Sequence, residues 1–103
     1  MYIVILITVS KKEEAKKIAA KLLKEKLAAC VNIVDKVESL FWWQGKINKA
    51  AESLMMIKST KAKFGKIVKS VLSVHSYTVP EIIAFPIIAG HKPYLDWIDA
   101  SIR

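Results

Sequence analysis

Two long segments with the composition of β-strands are separated by only two residues, Gln44 and Gly45. We predict strands over Ala28–Trp43 and Lys46–Ser59, joined by a tight hairpin turn in which Gly45 adopts positive φ. A strand of fourteen or more residues spans about 45 Å, whereas a typical strand spans roughly 17–20 Å. Half of this hairpin must therefore extend beyond any helices that cover the sheet.

The projecting half of the hairpin carries the apolar run Leu40–Trp43. Successive side chains of a strand point to opposite faces, so Trp42 and Trp43 cannot both face the core of one subunit. A local aromatic cluster within one subunit is the alternative, and a bulge near Asp35–Glu38 would shorten the regular strand without removing the projection. An apolar patch of this size usually marks an interface, so we predict that the chain pairs with copies of itself through the hairpin.

The remaining elements complete one domain, residues 1–103. Tyr2–Val9 is β-branched and continuous, which favours a central strand, and Ser10 with Glu13 matches a capping box for the first helix. Thr60 is expected to cap a second helix, and Val79–Ile88 to form a short edge strand because it contains two prolines. Pro93 suits the first turn of a last helix that runs through Ile102. The helix stripes are Ala15, Ile18, Ala19, Leu22 and Leu23 in the first and Phe64, Ile67, Val68, Val71 and Leu72 in the second.

The order β-α-β-β-α-β with an extra C-terminal helix predicts the α+β class. It is the order of the ferredoxin-like split β-α-β fold, in which helices cover one face of an antiparallel sheet. Many unrelated functions share this fold, so the function must be argued from a site.

Charge and composition narrow the classes of partner. The net charge is +8, but Arg103 is the only arginine. The chain therefore lacks the guanidinium groups that form bidentate hydrogen bonds with phosphates and guanine, and we expect no nucleic-acid partner. No apolar run approaches the roughly 18 residues of a membrane span, so no membrane partner is expected. Tyr2–Val9 lacks the flanks of a signal peptide, and a single Cys30 forms no internal disulfide. We therefore predict a cytoplasmic protein.

A few side chains could carry chemistry. Cys30 is either a small core hydrophobe or a soft ligand for Cu(I) or zinc, and His75 either caps a helix dipole or acts as a metal ligand or proton donor. Glu52 and Lys58 lie six residues apart on one strand face, as an ordinary ion pair or as the polar floor of a cleft between subunits. The sequence has no zinc-finger spacing, nucleophile elbow or glycine-rich phosphate loop, so we predict no enzyme activity.

Several motifs in succession resemble the CutA1 family of divalent-cation tolerance proteins. They are LAACVNI at Leu27–Ile33, FWWQGKI at Phe41–Ile47, Glu52 followed by LMMIKST, HSYTVPEIIAFPI from His75, and YLDWI from Tyr94, so the resemblance covers almost the whole chain. Ser76 and Thr78 replace the proline and acidic residue that the family commonly has, and Phe41 replaces a common tyrosine. The first change is expected to loosen the turn that holds His75, and the loss of an acid to weaken binding of divalent metals.

The resemblance implies a homotrimer similar in architecture to the PII signalling proteins. It implies a role in tolerance of copper or other divalent cations, with no obligatory cofactor, and Cys30 and His75 as the metal contacts. The alternative function is a PII-like sensor or scaffold that binds a small anionic ligand between subunits. By resemblance, the cleft between subunits is lined by Trp43, Glu52, Lys58, His75, Tyr77, Glu81, Tyr94 and Trp97.

Overall fold

The computed structural model describes all residues from Met1 to Arg103 and contains every predicted strand and helix. The order of elements matches the predicted β-α-β-β-α-β-α order. The strands are β1 (Tyr2–Val9), β2 (Cys30–Trp43), β3 (Lys46–Thr60) and β4 (Ile82–Pro86); the helices are α1 (Lys12–Lys24), α2 (Phe64–Leu72) and α3 (Lys92–Ser101), with a 3₁₀ turn at Lys61–Lys63.

The four strands form one antiparallel sheet in the order β2-β3-β1-β4. Strand β1 is central and alternates strictly, so that its odd-numbered side chains are buried under α1 and α2 while its even-numbered ones face the other side. Strand β4 lies at an edge, as its prolines predict. The core between the sheet and these helices consists of Ile3, Ile5, Ile7, Val9, Ala15, Ile18, Ala19, Leu22, Leu27, Ala28, Met55, Ile57, Ile67 and Val71.

Helix α3 packs on the opposite face of the sheet, which corrects the expectation that the helices share one face. The hydroxyl of Tyr2, an even-numbered side chain of β1, hydrogen-bonds the carboxylate of Asp99 in α3. Ile98 and Ile102 are buried but lie outside the main core. The apolar stripe of α3 therefore stabilises a second, smaller contact, which the order of elements alone does not assign to a face.

The hairpin projects as predicted, and the molecule is 44 Å long but only 26 and 22 Å across. Gln44 (φ 51°) and Gly45 (φ 75°) both adopt positive φ, the geometry of a two-residue type I′ turn. The amide of Asn48 donates to the carbonyls of Trp43 and Lys46 and holds this turn. The apolar residues near the tip are exposed, with Trp42 at 74% and Trp43 at 59%.

A bulge interrupts β2 where it was expected. Val34 pairs with Leu54 and Val37 with Glu52, so that Asp35 and Lys36 both lie opposite Ser53. Lys36 takes up the extra residue at φ 61°. Beyond the bulge, the odd-numbered side chains of β2 occupy the face that its even-numbered side chains occupy before it.

The predicted helix caps are wrong. Helix α1 begins after Lys11, and the Ser10 hydroxyl bonds the Glu14 carboxylate at 3.1 Å, so Ser10 and Glu13 form no capping box. Thr60 makes no side-chain cap bond and precedes the 3₁₀ turn rather than α2. The last strand begins later than Val79, after Pro80, which cannot donate to the ladder, and it ends at Pro86 rather than at Ile88. The longest helix has 13 residues, and none has the length and hydropathy needed to cross a bilayer.

Candidate functional site

Most of the predicted site residues fall, together with their close contacts, into two groups, and the strand residues of these groups, Glu52, Cys30 and Lys58, point to the sheet face that carries α3. The Tyr77 group, at the C-terminal end of β1, comprises Glu14, Glu52, His75, Ser76 and Tyr77. The Cys30 group, at the N-terminal end of β2, comprises Cys30, Asn32, Lys58, Tyr94 and Trp97.

Tyr77 and Glu52 form the centre of the first group. The phenol hydroxyl donates to Oε2 of Glu52 at 2.7 Å, although the two residues are 25 apart in sequence. Glu52 is 9% exposed, so this bond provides a partner for a carboxylate that has little access to water. Burial raises the pKa of Tyr77 well above that of a free phenol. The hydrogen bond to Glu52 and the negative charge of Glu52 raise it further. Tyr77 is therefore a neutral phenol at neutral pH and donates to Glu52.

His75 is held by a bond at each ring nitrogen. Nε2 lies 2.9 Å from the carbonyl oxygen of Thr8, and Nδ1 lies 3.0 Å from the backbone nitrogen of Tyr77. A carbonyl can only accept and a backbone N–H can only donate, so the ring is neutral with its proton on Nε2. The His75 side chain is fully buried, and its ring packs at 4.8 Å from that of Tyr77. Neither nitrogen has a free lone pair for a metal in this arrangement.

Glu14, which the sequence did not identify as part of a site, anchors the turn that carries His75. Its carboxylate accepts the backbone N–H of Ser76 at 2.7 Å and the Ser76 hydroxyl at 2.9 Å, and lies 3.6 Å from Nδ1 of His75. Burial opposes ionisation here, but the bonds from Ser76 and Ser10 outweigh it, and the pKa of Glu14 is lowered. Ser76 therefore fastens the turn to α1 instead of loosening it, because its N–H and hydroxyl both donate.

The Cys30 group surrounds a partly buried thiol. Nζ of Lys58 lies 3.9 Å from Sγ of Cys30 and also contacts Oδ1 of Asn32, while no carboxylate lies within 4.0 Å of this ammonium. Burial raises the pKa of Tyr94. The charge of Cys30 and a hydrogen bond with Cys30 raise it further. The rings of Tyr94 and Trp97 pack against each other at 5.4 Å. The group combines a thiol, an unpaired cation and two half-exposed aromatic rings.

A single subunit keeps the two groups apart. Cys30 pairs with Lys58, and Glu52 lies six residues away along β3, about 20 Å at ~3.3 Å per residue. His75 bonds the carbonyl of Thr8, and Thr8 lies four residues along β1 from Val4, which pairs with Lys58 of the Cys30 group. Cys30 and His75 therefore cannot bind the same ion within one chain. Consistent with this, no three His, Cys, Asp or Glu side chains are grouped closely enough to hold a metal.

The two remaining site residues lie at the periphery. Trp43 pairs with Lys46, and because β3 has no bulge it lies on the sheet face of Glu52 and Lys58, while Trp42 lies on the opposite face. Glu81 is exposed in the loop before β4, and its side chain makes no hydrogen bond or ion pair. In one chain, Trp43 therefore lies near the tip of the hairpin, and the two groups lie on the same sheet face farther from the tip.

Comparison with known proteins gives one consistent family. The sequence model that describes the CutA1 divalent ion tolerance protein family matches residues 3–101 of this chain. The divalent-cation tolerance protein CutA of Archaeoglobus fulgidus is 48% identical over 103 residues and that of Thermus thermophilus 47% over 95, covering 100% and 92% of each chain respectively. The chloroplastic protein CutA 1 of Oryza sativa is 45% identical, but this chain spans only 57% of its length.

Solved structures agree with this relationship. The structure described as the periplasmic divalent cation tolerance protein CutA from Archaeoglobus fulgidus superposes with a TM-score of 0.97 at 48% identity, covering all of both chains. That of CutA1 from Oryza sativa superposes with a TM-score of 0.96 at 44% identity, covering 99% of this chain and 94% of the other. The projecting hairpin and the position of α3 therefore belong to a shared architecture.

Proposed function

Because the chain belongs to the CutA1 family of divalent ion tolerance proteins, we propose that it acts as a homotrimeric, copper-binding member whose site is completed between subunits. Its relatives are named for tolerance of divalent cations, which supports the general role. The separation of Cys30 from His75 within one chain is the observation that carries the finer proposal. A neighbouring copy would have to bring one group against the other.

The exposed apolar surface supports assembly through the hairpin. Phe41, Trp42 and Trp43, together with Phe85 in β4, are each at least 40% exposed in the single chain. Phe41, Trp42 and Trp43 form an apolar patch at the hairpin tip of a kind that a soluble monomer rarely leaves in water, and Phe85, which pairs with Val4, lies well behind it. Covering it with sister chains would also place Trp43 over the site face of a neighbour, which agrees with the cleft implied by the family resemblance.

Cys30 is the stronger candidate for the primary metal ligand. Thiolates select Cu(I), and the contacts of the Cys30 sulfur with Asn32 and Lys58 are both weak, at 3.9 Å, so a metal could replace them. His75 could contribute Nδ1 only after the N–H of Tyr77 has released it. We therefore expect Cys30 to dominate the affinity and His75 to respond to binding with a local rearrangement.

Anaerobic Cu(I) titration of the wild type and of Cys30→Ala, His75→Ala and His91→Ala tests the copper proposal. We expect Cys30→Ala to abolish tight binding, His75→Ala to weaken it, and His91→Ala, which changes an exposed histidine outside both groups, to leave it unchanged. Unchanged binding in both of the first two variants would refute the assignment. Light scattering of the same samples tests the trimer separately.

A second function is favoured by the unpaired ammonium of Lys58. A partly buried cation without a carboxylate partner would be stabilised by a small anion, as in a PII-like sensor. A thermal-shift panel of anionic metabolites tests this, since a ligand at 100 times its dissociation constant adds about 2.7 kcal/mol. Stabilisation that disappears in Lys58→Gln supports the anion site, and no stabilisation by any anion counts against it.

A cytoplasmic location and the absence of catalysis remain predictions.

A further inference from the structure

The net positive charge of the chain lies on one side of the molecule. Residues 11–26 and 61–73, which contain α1 and α2, carry eleven lysines and three glutamates, a net charge of +8. All other residues carry five lysines, one arginine and six carboxylates, and so have no net charge. The helical layer formed by α1 and α2 is thus strongly basic, while the hairpin, the far face of the sheet and α3 are neutral.

The lysines of the helical layer are largely unneutralised. Lys21 alone among them has a carboxylate within 4.0 Å, that of Glu25. The carboxylate of Glu14 accepts hydrogen bonds from Ser10 and Ser76 and so pairs with none of these lysines. An ordinary solvated surface intersperses both signs of charge, so a layer that concentrates one sign produces a local field able to attract anions.

A groove between α1 and α2 concentrates this charge. It has a volume of about 470 Å³. Ser70 lies in it and donates to Glu25 at 2.8 Å, which leaves lysine ammonium groups as the free donors. The lining includes Lys21, Lys63, Lys66, Lys69, Ser70 and Ser73.

We propose that this groove and the helical layer around it bind a flexible phosphate chain, of which inorganic polyphosphate is the simplest form. Lysine binds phosphate as a point charge and needs no fixed fork, which suits a linear chain of identical charged groups. The layer has no arginine and no exposed aromatic side chain, so it lacks the groups that read or stack on bases. Its exposed large apolar side chains are only Leu23 and Leu72, too few to insert into a lipid surface.

The proposed assembly through the hairpin does not require this surface. It lies on the helices that cover the sheet face opposite α3, and of the two site groups only Glu14 belongs to these helices. The large exposed aromatic rings belong to the hairpin, β4 and α3. The proposal therefore does not depend on copper binding or on the anion site at Lys58.

A pair of charge-matched triple variants tests the proposal in the full chain. Lys63→Gln, Lys66→Gln and Lys69→Gln remove three charges from the groove, and glutamine keeps the helix propensity of lysine. The control, Lys46→Gln, Lys49→Gln and Lys92→Gln, removes three charges from exposed positions on the neutral side. Binding of fluorescent polyphosphate is measured as a function of salt, with thermal melting to verify that both variants are folded.

We expect the groove variant to bind polyphosphate roughly ten- to a hundredfold more weakly, with the slope of log affinity against log salt reduced by about two, and the control to bind like the wild type. Equal losses in both variants would overturn the proposal, because net charge alone would then explain binding. Absence of binding by the wild type at about 0.1 M salt would also overturn it. Tighter binding of duplex DNA at equal phosphate concentration, or of anionic vesicles at equal lipid phosphate, would replace polyphosphate with that partner.

Discussion

The hydroxyl of Ser53 donates a 2.8 Å hydrogen bond to Oδ1 of Asp35 and closes the bulge of β2. The same oxygen accepts the N–H of Lys36 at 2.9 Å. This bulge decides which face of the sheet Trp43 occupies, because one extra residue inverts the alternation of every later side chain. One extra residue in the middle of the hairpin therefore sets the orientation of the side chains at its tip.

Stability should fall in acid in a way that depends on this contact. The bond from Ser53 lowers the pKa of Asp35 below its usual 3.8, and burial opposes this only in part. Because the folded-state pKa is the lower one, the stabilisation is complete above pH 3.8 and is lost as the pH falls through the folded value. We expect the melting curves of wild type and Ser53→Ala to converge in acid.

Ser73→Ala is the control for that experiment. Its hydroxyl donates to the carbonyl of Ser70, which does not titrate, so its effect should be independent of pH. A difference between wild type and Ser53→Ala that stays constant from neutral pH to pH 3 would contradict the role given to Asp35.

Removing the hydroxyl of Tyr77 should destabilise the chain more than removing that of Tyr94. Tyr77→Phe leaves the buried Glu52 carboxylate without its partner, at a cost of about 1–3 kcal/mol in the free energy of unfolding. Tyr94 is 40% exposed, so water replaces its lost bond and Tyr94→Phe should cost less. Urea denaturation at pH 7 measures both variants, and equal costs would contradict the pairing.

The same pair predicts sensitivity to alkali. The pKa of Tyr77 is raised on folding, so its contribution is complete below pH 10, the usual phenol value, and is lost as the pH rises through the folded value. The phenolate that forms would be repelled by Glu52. Tyr77→Phe should remove this alkaline component of unfolding, and wild type and variant losing stability in parallel above pH 10 would exclude it.

The ring of His75 should carry its proton on Nε2. Its bonds to Thr8 and Tyr77 allow only this tautomer in the folded chain. Nitrogen chemical shifts of the imidazoles at neutral pH measure the tautomer directly, and exposed His91 provides an internal reference for an unconstrained ring. A proton on Nδ1 would mean that Tyr77 does not donate to this ring, and would leave Nδ1 directed towards Glu14.

Two glycine substitutions should change stability in opposite directions. Gly45 has φ +75° in the turn, so Gly45→Ala is strained and should destabilise the chain by about 1 kcal/mol. Gly65 lies in α2 with open space at its Cβ position, so Gly65→Ala should stabilise the chain by about 0.5–1 kcal/mol. Thermal unfolding of the two variants tests both signs, and a stabilising Gly45→Ala would contradict the assigned turn.

The tryptophans of the hairpin should matter for assembly. The double variant Trp42→Ala, Trp43→Ala removes the largest apolar side chains of the projecting tip and is expected to yield smaller species in light scattering. Leu23→Ala, which shortens an exposed apolar side chain on the basic helical layer, should leave assembly unchanged. A double variant that assembles and resists heat like the wild type would refute the role of the hairpin.

Local sequence determined the elements of this protein. The alternation in β1, the apolar stripes of α1 and α2 and the glycine of the turn each act within a few residues, so their consequences could be read from the chain. The long hairpin followed from the same local signals. The cap of α1 was mispredicted because Ser10 bonds Glu14, and Glu14 is in turn fixed by Ser76 from a distant loop.

Only the tertiary structure decided how the site is arranged. The face of Trp43 depends on a one-residue bulge, the tautomer of His75 on the carbonyl of Thr8, and the face of α3 on contacts with Tyr2. The family resemblance grouped Cys30 and His75, but their distance follows from strand register, which no local pattern encodes. Each of these features joins residues far apart in sequence, and the geometry between such residues is fixed by packing and not by the propensity of any segment.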